Sequence, residues 1–261
     1  MNPYGNIRKV PLDYNGIESS AYAIQLEESM DKWKEVGVVS NNYMLIENKE
    51  VAEIAEHISE GSAFDWREDR TFFNGKKYFK TMIAKGEFGE VENGDPIGLG
   101  MGFWNSYDGS TSFRFRMFTY NLICTNGMMT KKFFSGLNFK HVLGSSNDYQ
   151  EEIVKAISVV NNSDKDVNEF IQGANKLVRS VNIDKLADIR YKHLQNVPTT
   201  TWGQVVDQFL SDDERYVNKT GWDLLNSATD VLWHSAKPNV AKFETNQIIT
   251  DGLLDWAQAQ A

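Results

Sequence analysis

The pattern of hydrophobic and polar positions changes its period about halfway along the chain. Residues 77–129 contain short apolar runs separated by turn signals, and this pattern predicts strands. From residue 148 onward, apolar positions recur at helical spacing and predict helices over these segments: 148–161, 166–179, 183–195, 201–211, 220–236 and 244–259. Grouped strands followed by grouped helices predict an α+β fold and not an alternating α/β fold.

Two N-terminal helices are predicted to flank the sheet. Over residues 18–35, four apolar side chains recur at helical spacing: Ala23, Leu26, Met30 and Trp33. Over residues 49–59 the apolar side chains share one helical face, and Asn48 is placed to cap that helix. The strands predicted within residues 77–129, which follow these two helices in the chain, are expected to form a central antiparallel β-meander.

The change in pattern near residue 148 divides the chain into two regions. Residues 1–147 are predicted to mix helix with antiparallel sheet, and residues 148–261 to form a helical region packed on that sheet as one compact unit. No apolar run approaches the roughly 18–20 residues that a membrane helix needs. The N-terminal residues also lack the apolar core of a signal peptide, so we expect a cytoplasmic protein without a membrane partner.

The central hairpin contains the densest mixture of aromatic and basic side chains in the chain. Asp108-Gly109 favours a tight turn, and Asn126-Gly127 signals a second turn. If Asp108 and Gly109 are the two central turn residues, the glycines within 98–102 lie opposite bulky side chains on one face. The other face then pairs Phe103 with Arg114. A longer turn would shift the pairing by one residue and exchange the faces.

Charge is distributed unevenly along the chain. The net charge is −9, but residues 71–144 contain nine Lys and Arg against five Asp and Glu, so this segment alone carries +4. Guanidinium groups beside aromatic rings are suited to contacts with bases and phosphates. The predicted nucleic-acid-binding residues are Arg114, Arg116, Phe103, Lys80, Lys131 and Lys132. A solvated sheet face, with arginine stems lying along it, is the alternative.

Motifs for catalysis, metals or cofactors are weak in this sequence. The single cysteine, Cys124, excludes an intrachain disulfide and a multi-thiolate metal site. The four histidines do not have the spacing of metal ligands. The glycine-rich segment 98–102 lacks the Lys-Ser/Thr ending of a phosphate-binding loop. We therefore predict no cofactor, metal or catalytic residue, although an enzyme whose site is assembled from scattered residues stays a third possibility.

Two turn segments resemble a phage/plasmid-like family that is known only as a domain of unknown function. Residues 105–110 read Asn-Ser-Tyr-Asp-Gly-Ser and residues 124–127 read Cys-Thr-Asn-Gly. Members of that family show Asn-Ser-His-Asp-Gly-Ser and Cys-x-Asn-Gly, so Tyr107 replaces the usual His. Asn226 and Thr229 resemble a later Asn-x-x-Thr segment of the family. The resemblance implies a bacteriophage, prophage or plasmid origin and brings no established activity.

The sequence therefore favours a mobile-element protein that is not an enzyme and binds single-stranded nucleic acid, such as single-stranded DNA, in recombination or replication. A curved meander followed by helices is similar, by analogy, to single-strand annealing proteins, which form rings, so a homo-oligomer is compatible with this hypothesis. The alternative is a protein-interaction module, either a regulator or inhibitor of a host protein or an assembly component. Acidic helices and seven tryptophans would suit such a partner surface.

Overall fold

The computed structural model describes residues 2–131, 136–139, 149–180, 185–211, 219–234 and 240–260. Two antiparallel sheets and a set of helices confirm the predicted α+β class. The N-terminal sheet has the order β1-β2-β3, with the strands β1 (Ile7–Tyr14), β2 (Ile17–Ser29) and β3 (Lys32–Ser40).

The central sheet is the predicted meander. Its strands are β4 (Trp66–Phe73), β5 (Lys77–Ala84), β6 (Gly89–Glu90), β7 (Pro96–Ser106), β8 (Phe113–Asn121), β9 (Asn126–Met128) and β10 (Gly136–Phe139). The main order is β10-β8-β7-β5-β4, while β6 pairs with β7 and β9 pairs with β8. Asn126 and Gly127 belong to β9, so the predicted Asn-Gly turn lies instead in the preceding residues.

The helices follow the predicted segments closely in the C-terminal half. They are α1 (Asn48–Gly61), α2 (Gln150–Asn161), α3 (Ser163–Arg179), α4 (Leu186–His193), α5 (Thr199–Ser211), α6 (Gly221–Trp233) and α7 (Val240–Gln258). The start of α6 is fixed by a reciprocal capping box, in which Asp223 N–H donates to Thr220 Oγ1 and Thr220 N–H donates to Asp223 Oδ2 at 2.6 Å.

The helix predicted over residues 18–35 is wrong, because these residues form β2 and β3. Asn15 and Gly16 both have positive φ (55° and 79°), the geometry of a two-residue hairpin turn, and they join β1 to β2. A second reversal follows at Asp31, whose φ is 60°. Between the turns, Ile24 and Leu26 alternate onto a buried face, so cross-strand pairing prevails over the helical spacing of the apolar residues.

Residue contacts divide the chain into two compact units. The first unit comprises residues 1–83, 101–116 and 136–161, and the second comprises residues 84–100, 117–135 and 162–261. Strands β7 and β8 therefore contribute residues to both. In the first unit, a core cluster joins the inner face of the N-terminal sheet to Tyr107. In the second unit, α6 is buried along almost its whole length and packs with α5, α7, α3 and β9.

Candidate nucleic-acid interface

The β7–β8 hairpin pairs its side chains differently from the predicted register. The ring of Phe118 lies against Gly100, and the ring of Phe103 lies 5.5 Å from that of Phe115. Even-numbered residues of β7 therefore share a face with even-numbered residues of β8, and the predicted pairing of Phe103 with Arg114 is wrong. The physical cause is the connection of residues 107–112, which is longer than the two-residue turn assumed and shifts the pairing by one.

This register sets the two arginines beside the glycine-bearing face of β7. Extending the observed contacts along the strands places Gly102 opposite Arg116 and Trp104 opposite Arg114. A side chain at position 102 would meet the Trp104 ring at 2.6 Å, so the indole lies over the bare glycine. Trp104 is only 4% exposed, and its ring packs 4.9 Å from that of Phe79. It is therefore not an open platform for base stacking.

Arg116 is half-buried and bonded to neutral oxygens. Its Nη1 donates to the carbonyl oxygens of Phe115 (2.7 Å) and Leu137 (3.0 Å), and its Nη2 donates to Asn138 Oδ1 at 2.7 Å. The pairing of β10 with β8 supplies the acceptors on Leu137 and Asn138, since Gly136 stands directly opposite Arg116. Of the five guanidinium N–H groups, three are used, and within the described part of the chain no carboxylate forms an ion pair with Arg116.

Arg114 lies two residues before Arg116 on the same face of β8. It is half-buried, and its Nε donates to Ser112 Oγ at 3.3 Å. Burial lowers the pKa of Arg116, and the charge of Arg114 lowers it further. Both causes act against the positive charge of Arg116 and would be offset by an anion close to the two guanidinium groups. We refer to Ser112, Arg114, Arg116 and Asn138 together as the arginine strip.

Two other predicted residues lie in the interior. Phe103 is fully buried and packs on Phe115. Lys80 is 5% exposed, and its Nζ donates to Glu68 Oε2 at 2.5 Å. Because β5 is buried along almost its whole length, the Lys80 ammonium is itself buried and contacts the half-exposed carboxylate of Glu68, which neutralises it. The expectation that Phe103 and Lys80 belong to an exposed basic surface is therefore wrong.

The two remaining predicted lysines follow β9. Lys131 is exposed, and its backbone N–H donates to Asp251 Oδ2 at 3.3 Å. Lys132 lies outside the described residues. Sequence reasoning missed Asn138, a polar neighbour of the arginines. The available signal was Gly136, because a glycine within a strand marks close approach by another group, here the stem of Arg116.

The first turn segment, residues 105–110, has a structural role in the first unit. Asn105 Nδ2 donates to the Ile46 carbonyl oxygen (2.9 Å) and to Asn48 Oδ1 (3.0 Å). The hydroxyl of Tyr107 accepts from the backbone N–H of Asn48 at 3.0 Å, and burial raises the pKa of Tyr107. These contacts fasten the hairpin tip to the start of α1, so they leave these side chains little freedom for chemistry.

The second turn segment, residues 124–127, belongs to a buried polar network in the second unit. Asn126 Nδ2 donates to the Asn226 carbonyl oxygen at 3.2 Å, and Asn126 Oδ1 lies 2.8 Å from His234 Nε2. Asn121 Nδ2 bonds both Asn226 Oδ1 (3.2 Å) and Asp95 Oδ2 (3.1 Å). Because these polar atoms find partners inside the protein, the network specifies the packing of α6 on the sheet.

The fold and the strip define an α+β protein whose central antiparallel sheet carries two adjacent, half-buried arginines. The chain belongs to the family described as "Domain of unknown function (DUF932)", which matches residues 35–252. Neither the comparison with curated proteins nor that with solved structures gave a match. Among the helices described here, none has the length and apolar character to cross a membrane. The described residues likewise contain no group of three His, Cys, Asp or Glu that could hold a metal ion.

Proposed function

We propose that this protein binds single-stranded nucleic acid, with the arginine strip holding the phosphate backbone. One observation carries the proposal: two guanidinium groups are neighbours on one sheet face, and Arg116 is held by neutral acceptors where a structural arginine would often have a carboxylate. A phosphate oxygen is a suitable acceptor for the two guanidinium groups, because charge-assisted hydrogen bonds from arginine to phosphate are stronger than hydrogen bonds between neutral groups.

The available donors favour contact with the backbone of the nucleic acid over recognition of bases. Among the described residues, two N–H groups of Arg116 have no acceptor, besides the three that bind Phe115, Leu137 and Asn138, and the exposed Asn138 amide and the Ser112 hydroxyl flank the arginines. Such groups position a nucleic acid without reading its sequence. Since the aromatic rings behind the strip are buried, little stacking energy is expected, and binding should be sequence-independent and strongly dependent on salt.

The test is binding of a fluorescein-labelled oligo-dT strand, followed by anisotropy at several salt concentrations. Replacing Arg114 and Arg116 together with Gln should weaken binding at least about tenfold, because two charge-assisted contacts are lost. The plot of log association constant against log salt concentration has a negative slope, and its magnitude should decrease by about 1.4. This decrease corresponds to the loss of two phosphate contacts on a single strand. The control is Arg179→Gln, which removes one positive charge from an exposed ion pair with Glu92, matches the single variant Arg114→Gln in charge and should leave both quantities unchanged.

Arg116 also bonds the backbone, so its loss could disturb the sheet edge. Arg114→Gln alone should therefore be measured alongside, with circular dichroism as a check on folding; its salt slope should fall by about 0.7. Equal affinity and equal slope in the wild type and in a folded Arg114→Gln, Arg116→Gln double variant would discard the arginine strip as the binding surface.

The biological setting of this proposal comes from the resemblance to phage/plasmid-like proteins. We propose a mobile-element protein acting in recombination or replication, in the manner of a single-strand annealing protein. Such a protein should accelerate the pairing of two complementary oligonucleotides and should form oligomers on the strand. Annealing kinetics and light scattering with and without oligo-dT measure these two properties. An unchanged annealing rate would reject this role while leaving simple strand binding intact.

A protein-interaction module is the second candidate, and the N-terminal sheet favours it. Strand β3 forms an edge of that sheet, and the side chain of Val38 is 51% exposed on it. An edge strand offers backbone hydrogen bonds to an added strand of a partner. Binding of this kind should persist in high salt and after nuclease treatment, should be weakened by Val38→Asp, and should not respond to Arg114→Gln.

A further inference from the structure

A groove separate from the arginine strip lies between α4 and α5 in the second unit. Its volume is about 670 Å³, within the range of small-molecule sites. The side chains that shape it combine apolar surface with one cation: Leu186, Arg190, Tyr191, Gln195, Trp202 and Val206. Trp202 is buried and forms the floor, whereas Tyr191 is 75% exposed at the rim. The groove therefore pairs an aromatic surface with a single positive charge.

The charge of Arg190 is not neutralised by any carboxylate within the described residues. Its Nη2 donates to Thr199 Oγ1 at 3.0 Å, and its Cζ lies 6.0 Å from the centre of the Trp202 ring. Its Nη1 is buried without a hydrogen-bond partner among the described residues. Leaving a charged donor without an acceptor is unfavourable, and an acceptor entering the groove can supply the missing bond after a small rotation of the guanidinium.

The N-terminus of α5 adds to the positive potential near Arg190. Thr199, the acceptor for Arg190, is the first residue of α5, and the first turn of that helix contains no acidic residue. The positive end of the helix dipole and the guanidinium group therefore lie together. The neighbouring cation, Lys192, differs because it has Asp188 as a partner at 3.4 Å.

We propose that this groove binds a carboxylate carried on an apolar or aromatic group. Arg190 holds the carboxylate through Nη1, and the attached group lies on Trp202 between Leu186 and Val206. A free aromatic acid and the C-terminal residue of a peptide share this chemistry. The apolar walls exclude a bare inorganic anion as the preferred occupant, because such an anion would gain nothing from them.

The experiment is ¹H–¹⁵N NMR titration of the full chain with 3-phenylpropanoate and with its uncharged amide, 3-phenylpropanamide. The acid should shift the Trp202 indole resonance and the backbone resonances of α4 and α5, and it should bind at least about tenfold more tightly than the amide. An acetylated tripeptide ending in phenylalanine, compared with its C-terminal amide, distinguishes the peptide source from the free acid. Inorganic phosphate alone should bind at least about tenfold more weakly than the acid.

Matched variants test the assignment to Arg190. Arg190→Gln should weaken binding of the acid at least about tenfold, Arg190→Lys should retain part of it, and Lys192→Gln should bind as the wild type does. Thr199→Val separates the charge from the local hydrogen bond and should change affinity by less than about threefold. Equal binding of acid and amide, phosphate binding as tight as the acid, or resonance shifts confined to residues outside the groove would overturn the proposal.

Discussion

Replacing Gly37 with alanine should destabilise the first unit by about 3 kcal/mol, because the hairpin tip rests directly on this glycine. A Cβ at position 37 would lie 2.6 Å from Asp108 Cα and 2.6 Å from the carbonyl oxygen of Tyr107. Non-bonded carbon atoms prefer separations of about 3.5–4.0 Å, so the tip must retreat by roughly 1 Å. Both obstructing atoms are backbone atoms and cannot turn away as a flexible side chain would.

The magnitude follows from two contributions. Overpacking a well-packed contact costs about 1–3 kcal/mol, and a rigid backbone obstacle favours the upper end. The same displacement strains two hydrogen bonds that seat the tip: Tyr43 Oη to the Ser106 carbonyl oxygen at 2.6 Å, and Asn48 N–H to Tyr107 Oη at 3.0 Å. Each contributes about 0.5–1.5 kcal/mol when intact. At about 2–4 °C per kcal/mol for a chain of this size, Tm should fall by about 6–12 °C.

Gly203→Ala is the matched control, measured by the same urea and thermal denaturation followed by circular dichroism. Gly203 is an exposed residue inside α5, and an added Cβ would meet nothing within 4 Å. Alanine there should stabilise the protein by about 0.5–1 kcal/mol, since glycine is the poorer helix former. If Gly37→Ala has the same urea midpoint and the same Tm as the wild type, the hairpin tip does not rest against β3 and the packing described for the first unit is incorrect.

Three further predictions concern stability. Burial raises the pKa of Glu68, but the hydrogen bonds from Lys80 and Thr71 and the positive charge of Lys80 together lower it further, so the net shift is downward. A lowered folded-state pKa contributes stability above the unfolded value, and this stability is lost as pH falls. Urea midpoints between about pH 5 and pH 3 should therefore fall more steeply for the wild type than for Glu68→Gln, and parallel curves would refute this. Thr220→Ala removes the cap of α6 and should cost about 1 kcal/mol in denaturant titrations, whereas Thr220→Ser should retain most of it; equal losses would contradict the cap. Asn246→Leu leaves two buried backbone groups of residues 127–129 without partners and should cost about 2–4 kcal/mol by the same assay, and a neutral effect would show that water replaces the amide.

The C-terminal helices could be predicted because their signals are local. Apolar side chains three and four residues apart define a helical face wherever the segment lies, and the Thr220–Asp223 cap acts within one turn. Residues 18–35 show the limit of this reasoning. Helical spacing was present there, yet the Asn15-Gly16 turn and the partners of β2 on both sides produced a hairpin. The sequence signal for that turn is the Asn-Gly pair itself, which favours a two-residue hairpin turn.

The candidate site was predicted only in part. The shared face of the two arginines depends on neighbouring residues, whereas the partners of the arginines come from residues distant in the chain. Arg114 and Arg116 share one face because they lie two residues apart in a strand, where alternate side chains point to the same side. Which side chains join them depended on the length of the connection at residues 107–112, which moved Phe103 to the other face. The acceptors on β10 lie more than twenty residues away, and no local pattern relates Asn138 to Arg116.

The amino-acid sequence by itself therefore determined the α+β class, the helical half and the position of Arg114 and Arg116 on one face of their strand, because these follow from periodicity and from signals within one turn. Tertiary structure alone decided that Lys80 is neutralised by Glu68, that Phe103 is core, and that Arg116 is bound by carbonyl oxygens. The physical reason is that burial and charge compensation depend on strand register and on partners distant in sequence, and a shift of one residue reverses which face a side chain occupies.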